Sequence, residues 1–299
     1  MSDVVSTAQS ITTPLPDRGR LNLIWMLAPP IALVAAFFFI PAFYMLRMSF
    51  NVHPPGGTYQ AAWTLENYIH LVTSEIYLRS LGQTVLLALG SSVVTVVAAY
   101  LFALRVWLSS GAIKLALLAL ALCPLLISEI SVILGWWMFF PHNGLLSYSL
   151  VSMGVVHEKF TLMYTIGAAV VGLTYISLPY GIFILLSSFD SINRRVVEAS
   201  GDLGASPFRT FREVLLPLTG NSIFAAFAQA FIWNIGTYAT PAALGPDWLW
   251  TIGAQTYQQM VTWRNWPFAS VLANVVMIIV LISLSAVRRL NRPAMSYHA

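Results

Sequence analysis

The sequence contains very little charge. Only 9% of its 299 residues are Asp, Glu, Lys or Arg, whereas a soluble domain carries about 25% and needs them to cover its surface. In their place, 58% of the residues are hydrophobic. This composition excludes a soluble globular domain and predicts an integral membrane protein in a lipid bilayer. The net charge of +4 is typical of membrane proteins that gather Lys and Arg at cytoplasmic span ends, so we expect no nucleic-acid partner.

Residues that build covalent, metal and catalytic sites are also scarce. Cys123 is the single cysteine, which excludes an intrachain disulfide. The five histidines show no pairing at helical spacing, so we expect no metal site. A phosphate-binding P-loop needs Gly-Lys followed by Ser or Thr, but the two lysines, Lys114 and Lys159, follow Ile and Glu. Ser, His and Asp are too scattered for a hydrolytic triad, so we expect no enzyme and no cofactor bound by this chain.

Long apolar runs are what the sequence has in abundance. A bilayer core about 30 Å thick needs about 20 helical residues, and six stretches meet that length. Because an isolated strand in lipid would leave its backbone groups unpaired, we expect each stretch to be a helix. The predicted fold class is therefore all-α, a polytopic membrane protein with about six transmembrane helices. The predicted spans are 22–46, 80–104, 114–140, 162–187, 218–242 and 267–287.

The basic residues predict the orientation of these spans. With both termini in the cytoplasm, eleven Lys and Arg lie inside and four lie outside, as the positive-inside rule requires. The first apolar run is too long for a signal peptide, so we expect it to be retained as a span. The predicted divisions are a cytoplasmic tail at 1–20, a six-helix membrane domain at 21–290 that includes a loop at 189–217, and a cytoplasmic tail at 291–299.

The 189–217 loop is long, charged and patterned, unlike a simple connector. Its first half predicts a short helix, after which Gly204 and Ala205 give a turn with little side-chain bulk. The apolar side of that helix is predicted to comprise Val196, Val197, Ala199, Ser200 and Leu203.

The second half of the loop predicts another helix. Ser206 can cap it with Pro207 at its first position, where a missing N–H costs nothing. We expect this helix to be amphipathic and to end at Pro217. Its apolar face is predicted to comprise Phe208, Phe211, Val214 and Leu215. A helix, a small turn and a second helix form a surface peg that suits insertion into a cleft on a cytoplasmic partner.

Three features of the loop carry a resemblance: the triplet Glu198-Ala199-Ser200, the following Gly204, and Leu216-Pro217 at the next span. Together they resemble the EAA loop of type I ABC importer permeases, with Ser200 where that family usually has Ala. In that family the loop forms a coupling helix that docks into the nucleotide-binding subunit. The resemblance implies these ATPase-coupling residues: Glu198, Ala199, Ser200, Gly201, Asp202, Leu203, Gly204, Ala205, Ser206, Pro207 and Phe208.

The resemblance also implies a type I ABC importer permease fold, a set of partners and a location. The partners would be a cytoplasmic ABC ATPase dimer that binds ATP and Mg²⁺, a second permease subunit in a heterodimer, and an extracytoplasmic solute-binding protein. The location would be the bacterial inner membrane. A self-sufficient secondary transporter is the alternative, although it would normally show more spans, an internal repeat or several buried ionisable groups. A membrane scaffold without transport is a third class.

One charge lies well inside a predicted span, at Glu129. Because a carboxylate at a helix centre costs about 2.5–3.5 kcal/mol on insertion scales, its presence there indicates a functional or structural role. Trp136 and Trp137 follow it in the same span, and indole faces attract cations. These residues suit a cationic solute. Alternatively, Glu129 bonds to a neighbouring helix or lies nearer the interface.

A second polar, helix-breaking stretch lies in the predicted fifth span. It contains Asn234, Thr237 and Tyr238. Discontinuous helices of this kind often line a translocation path. Hydrogen bonding between helices is the alternative explanation for these residues.

Three stretches resemble the spermidine/putrescine branch of the permease family. They are Leu65-Glu66-Asn67-Tyr68, the region from Pro124 to Trp137 with Asn143-Gly144-Leu145-Leu146 after it, and Asn265-Trp266-Pro267-Phe268-Ala269. This resemblance implies import of polyamines or a related small amine. Permeases for phosphonates, opines, iron or thiamine remain as alternatives.

Overall fold

The structure, a computed structural model, describes residues 17–290 and the side chains of residues 25–289. Nearly all of this range is helical, and the described residues contain no strand beyond an isolated bridge between Val52 and Gln60. The all-α prediction is confirmed. Of the predicted tails, residues 1–16 and 291–299 lie outside the described residues, and the first described residue, Asp17, is already helical.

The chain divides into two units, one ending at Met48 and one beginning at Ser49. The first unit contains one described helix, α1 (Asp17–Met48). Its apolar part, Trp25–Met48, runs for 24 residues and is long enough to cross a bilayer. Three prolines lie inside α1, at positions 29, 30 and 41. Membrane helices tolerate proline because other groups satisfy the backbone carbonyls that it leaves unpaired.

The second unit contains three more helices that are long and apolar enough to cross a bilayer. They are α3 (Glu75–Trp107), α7 (Ile166–Ser191) and α14 (Trp266–Leu290). The shorter helices are α2 (Glu66–Thr73), α4 (Gly111–Leu122), α5 (Glu129–Phe139), α6 (Leu145–Ser152), α8 (Arg194–Asp202), α9 (Pro207–Thr210), α10 (Leu216–Leu218), α11 (Gly220–Gly236), α12 (Ala239–Leu244) and α13 (Ile252–Tyr257).

The prediction of one continuous helix over 114–140 is wrong. The segments Gly111–Leu126 and Glu129–Phe139 meet at an angle of 104°. A 3₁₀ turn, Cys123–Leu126, ends the first segment, and Ile127 and Ser128 then have extended backbones. Pro124 lies in that turn and removes one backbone donor, which favours a break at this point. The pair crosses a membrane only as one bent span.

The prediction of one continuous helix over 218–242 is also wrong. The helical run Pro207–Leu218 passes through Pro217 instead of ending there, and it meets α11 at 69°. Thr219 lies at this bend, where its Oγ1 and the Tyr100 hydroxyl are 3.1 Å apart. α11 then ends at Gly236, and the extended Thr237 separates it from α12. With both bent pairs counted as spans, the described residues supply up to six candidate spans.

Small residues allow α3, α7 and α11 to pack closely at the centre of the second unit. A Cβ added to Gly181 of α7 would lie 3.1 Å from the Cβ of Ala99 in α3. Next to this contact, Thr95 Oγ1 and Ser177 Oγ form a hydrogen bond of 3.0 Å. Close approach of small residues and hydrogen bonds between helices are the usual means of helix association in lipid, where burial of apolar surface adds little.

The two ends of α3 support different parts of the unit. Near its C-terminal end, Tyr100 and Trp107 pack with Phe189 of α7 in an aromatic cluster. Towards its N-terminal end, Thr84 Oγ1 accepts a hydrogen bond of 2.8 Å from the backbone N–H of Ile252, at the start of α13. From Thr84 to Trp107, α3 rises roughly 35 Å, slightly more than the thickness of a bilayer core.

Candidate coupling loop and translocation surfaces

The 189–217 loop folds into the predicted helix, turn and helix. Asn193 caps α8 by accepting a hydrogen bond of 3.1 Å from the backbone N–H of Arg195. Gly204 has φ of +80° in the turn, a conformation that costs a residue with a Cβ about 1–2 kcal/mol. Ser206 Oγ then accepts from the backbone N–H of Arg209 at 3.3 Å, with Pro207 at the first helical position.

The side of the loop that faces the protein differs from the prediction. Val197 packs against the aromatic cluster, and Ser200 Oγ hydrogen-bonds to Thr210 Oγ1 at 2.9 Å, which ties the first helix to the second. Leu203, predicted on the packed side, is 88% exposed. α8 ends at Asp202, so Leu203 lies in the turn, where helical periodicity no longer applies. Phe208 is also exposed, at 70%.

Arg194 anchors the loop to the membrane helices. Its guanidinium donates a hydrogen bond of 3.0 Å to the backbone carbonyl oxygen of Trp107 and lies 5.3 Å from the centre of the Trp107 ring. The same ring stacks on Phe189, with centroids 5.6 Å apart. Sequence reasoning counted Arg194 only as a basic residue and missed this contact. The partner lies 87 positions away in the sequence, and no local pattern indicates it.

Glu129 is the first residue of α5, directly after the 104° break. When the bent pair is counted as one span, Glu129 lies at its break and not in the middle of a continuous helix. Its Oε1 accepts a hydrogen bond of 2.8 Å from the hydroxyl of Thr240 in α12. Trp137 Nε1 donates to the carbonyl oxygen of Ala243, also in α12, at 3.2 Å. The bond to a neighbouring helix, which was one of the two alternatives for Glu129, is present.

Trp136 packs near Leu244 of α12 and lines a cavity of about 290 Å³. Its ring stacks on Phe140 at 4.7 Å and meets Tyr175 of α7 edge-on at 5.7 Å. Tyr175 was not among the predicted residues. The cavity is mainly apolar and aromatic, lined by Ile127, Ser131, Val132, Gly135, Trp136, Phe139 and Tyr175.

Asn234 and Thr237 do not line either of the cavities described here. Asn234 is buried in the helix core, where its Nδ2 donates to Ser91 Oγ of α3 at 2.9 Å. Thr237 donates to the carbonyl oxygen of Trp233, one helical turn earlier, at 3.0 Å. Asn234 therefore forms a hydrogen bond between helices, which was the alternative explanation for these residues. Thr237 forms only a local contact with the backbone of its own helix.

Tyr238 lines a separate cavity of about 310 Å³ between α12 and α13. Its ring stacks on Tyr257 with centroids 4.7 Å apart and an angle of 13° between the planes. Sequence reasoning missed Tyr257, although the polar run that contains it, between two apolar stretches, was a usable signal. The lining residues are Tyr238, Pro241, Ala242, Gly245, Pro246, Asp247, Leu249, Trp250, Ala254, Tyr257, Gln258 and Thr262.

The ionisable side chains do not gather into a metal site in the described part of the chain. No group of three or more His, Cys, Asp or Glu residues there is placed to hold an ion. What the geometry provides is an exposed apolar turn at one end of α3, an aromatic cavity between α5 and α7, and a second aromatic cavity between α12 and α13.

Comparison with known proteins places this arrangement in a family. A family model described as "Binding-protein-dependent transport system inner membrane component" matches residues 95–297. The chain is similar to the spermidine/putrescine transport system permease protein PotB of Escherichia coli (strain K12), with 27% identity over 271 residues, 89% of this chain and 98% of that protein. The protein of the same name from Salmonella typhimurium (strain LT2) is 29% identical over 260 residues, 86% of this chain and 90% of that protein.

A solved structure shares the fold. The crystal structure of a bacterial ABC transporter involved in the import of the acidic polysaccharide alginate matches with a TM-score of 0.73 at 18% identity, over 92% of this chain and 98% of that chain. Membership of this family makes the molecule a transport subunit and not an enzyme. The chain belongs to the binding-protein-dependent transport system inner membrane components, and it is a permease subunit of an ABC importer.

Proposed function

We propose that this permease imports polyamines such as spermidine and putrescine, or a related small amine. The observation that carries the proposal is the similarity to a protein named as a spermidine/putrescine permease, which covers 98% of that protein's length. The two aromatic cavities, one lined by Trp136 and one by Tyr238, support it, because aromatic faces attract ammonium groups.

The 189–217 loop is proposed to receive the energy of ATP hydrolysis. Its exposed apolar side chains, Leu203 and Phe208, flank the turn at Gly204 and give an apolar docking surface. The partner would be a cytoplasmic ABC ATPase dimer that binds ATP and Mg²⁺. The docking surface is proposed to comprise Glu198, Ala199, Ser200, Gly201, Asp202, Leu203, Gly204, Ala205, Ser206, Pro207 and Phe208.

The solute is proposed to pass beside α12. Glu129, Trp136, Trp137 and Tyr238 would contact the path. Asn234 and Thr237 would support it, because they lie where α11 ends and the chain turns towards Tyr238. A path at this place adjoins the break before Glu129 and the break at Thr237, and broken helices are common at transporter binding sites.

The proposed orientation puts both termini in the cytoplasm, with short tails on either side of a permease domain at 21–290. The bias of eleven basic residues to four favours it. The 189–217 loop and the Tyr238 cavity contact opposite ends of α3, which suits a loop on the cytoplasmic side and a cavity towards the outside. A second permease in a heterodimer and an external solute-binding protein would complete the assembly.

Reconstitution tests this function. The chain is co-expressed with its partner permease and ATPase, placed in proteoliposomes with the solute-binding protein, and supplied with labelled putrescine or spermidine. We expect ATP-dependent uptake of both amines. Uptake of a phosphonate, an opine, iron or thiamine in place of the amines would refute the substrate class. Amine uptake by the isolated chain without ATP would instead identify a secondary transporter.

A further inference from the structure

The cavity between α12 and α13 combines aromatic rings with one carboxylate. Tyr238, Trp250 and Tyr257 contribute rings, and Asp247 contributes the acid. Asp247 is the single carboxylate among the described residues that line the cavity, and none of those residues is Lys, Arg or His. The wall therefore has the chemistry of a site for an organic cation, since ring faces and a carboxylate both attract positive charge.

Asp247 is held in place but is free of competing partners. It lies in a tight turn closed by a hydrogen bond of 2.9 Å from the backbone N–H of Leu249 to the carbonyl oxygen of Pro246. Its side chain is exposed. Within residues 25–289, it forms neither an ion pair nor a side-chain hydrogen bond with the protein. A carboxylate that no protein cation neutralises is available to a ligand.

The aromatic wall is fixed by packing and by α3. A Cβ added to Gly253 would lie 3.2 Å from the Cβ of Tyr238, so α13 packs closely against that residue. The side chain of Gln83, in α3, accepts from the backbone N–H of Trp250 at 3.2 Å. Rings that are already positioned lose little conformational entropy when a ligand binds.

We infer that this cavity binds one primary ammonium group of the transported amine, with Asp247 as its counter-ion and Tyr238, Trp250 and Tyr257 as its aromatic wall. The inference rests on the proposed function as an amine importer and deepens it. One carboxylate balances one ammonium group. The cavity would therefore recognise one terminal ammonium group of the amine, whatever the total number of charges on the molecule. A diamine and a triamine should therefore depend on Asp247 to the same extent.

The test uses the complete reconstituted transporter with its solute-binding protein. ATP-dependent uptake of putrescine and of spermidine is measured for Asp247→Asn, with Glu75→Gln as a matched exposed carboxylate outside the cavity. We expect Asp247→Asn to slow both amines by the same factor, about fivefold, and Glu75→Gln to leave both rates unchanged. Tyr257→Leu, which removes a ring, should slow uptake, whereas Tyr257→Phe, which keeps it, should not.

The outcomes separate the two levels of proposal. Unchanged uptake by Asp247→Asn, or a much larger loss for spermidine than for putrescine, would overturn the one-ammonium site while leaving the amine importer intact. Equal loss of uptake in Tyr257→Phe and Tyr257→Leu would also overturn the aromatic role. A wild-type assembly that transports neither amine would refute the proposed function, and the ammonium site with it.

Discussion

Arg194 and Trp107 join the 189–217 loop to the end of α3. The guanidinium donates to the Trp107 carbonyl oxygen at 3.0 Å and lies over the indole ring at 5.3 Å. The last carbonyls of a helix lack partners within that helix, so the loop supplies a donor that the end of α3 needs. A cation at this end also interacts favourably with the helix dipole. This contact ties the loop directly to α3.

Replacing Arg194 should loosen the start of α8. Arg194→Gln removes both contacts with Trp107, a loss of about 1 kcal/mol for a charge-assisted bond at an exposed position. Hydrogen exchange of the α8 backbone amides should become about fivefold faster. Arg195→Gln is the control, because within residues 25–289 the Arg195 side chain forms no ion pair or hydrogen bond. Equal exchange rates in the two variants would show that the contact between Arg194 and Trp107 does not stabilise α8.

A bulky residue at Gly204 should uncouple the transporter without preventing its insertion. Valine is β-branched and disfavours φ of +80°, so Gly204→Val would reshape the turn at a cost of about 1–2 kcal/mol. ATP-driven uptake should fall about tenfold, while the amount of protein in the membrane stays constant. Gly220→Ala serves as the control, since a Cβ at Gly220 meets nothing within 4 Å. Normal uptake by Gly204→Val would refute the role of this turn in coupling.

The 189–217 loop shows what local sequence can predict. Capping by Ser206, Pro207 at the first helical position and the glycine turn all follow from interactions between residues a few positions apart. The all-α class follows just as directly from the apolar runs. These features depend on local backbone requirements, which can be recognised from the residue types alone.

The contacts that position the loop and the cavities could not be predicted in this way. Arg194 with Trp107, and Thr240 with Glu129, join residues 87 and 111 positions apart. Hydropathy also fails to distinguish a bent span from a straight one. The stretch 114–140 carries charge only at Lys114 and Glu129, yet it turns by 104°. Such a break is tolerated where other helices or a polar cavity satisfy the freed backbone groups.

A pair of variants should separate the two roles of Glu129. Glu129→Gln keeps a carbonyl oxygen that can accept from Thr240, so assembly should be unaffected, but it removes the negative charge. If the carboxylate contacts an amine, uptake of putrescine should fall severalfold. Thr240→Val removes the donor and keeps the charge, so it should lower the thermal stability of the solubilised complex by about 1 kcal/mol. Wild-type uptake kinetics in Glu129→Gln would restrict Glu129 to a structural contact with α12.

Close packing of α7 against α12 should make Gly172 intolerant of any side chain. A Cβ at this position would lie 2.7 Å from both Leu244 Cδ1 and Thr240 Cγ2. Gly172→Ala should therefore displace α12 and cost about 1–3 kcal/mol. The same displacement would disturb the Thr240 bond to Glu129, so uptake should fall together with the unfolding temperature in detergent. Gly90→Ala, in α3, provides the comparison, because a Cβ there meets nothing within 4 Å. Equal unfolding temperatures for the two variants would mean that α12 shifts freely and is not fixed by α7.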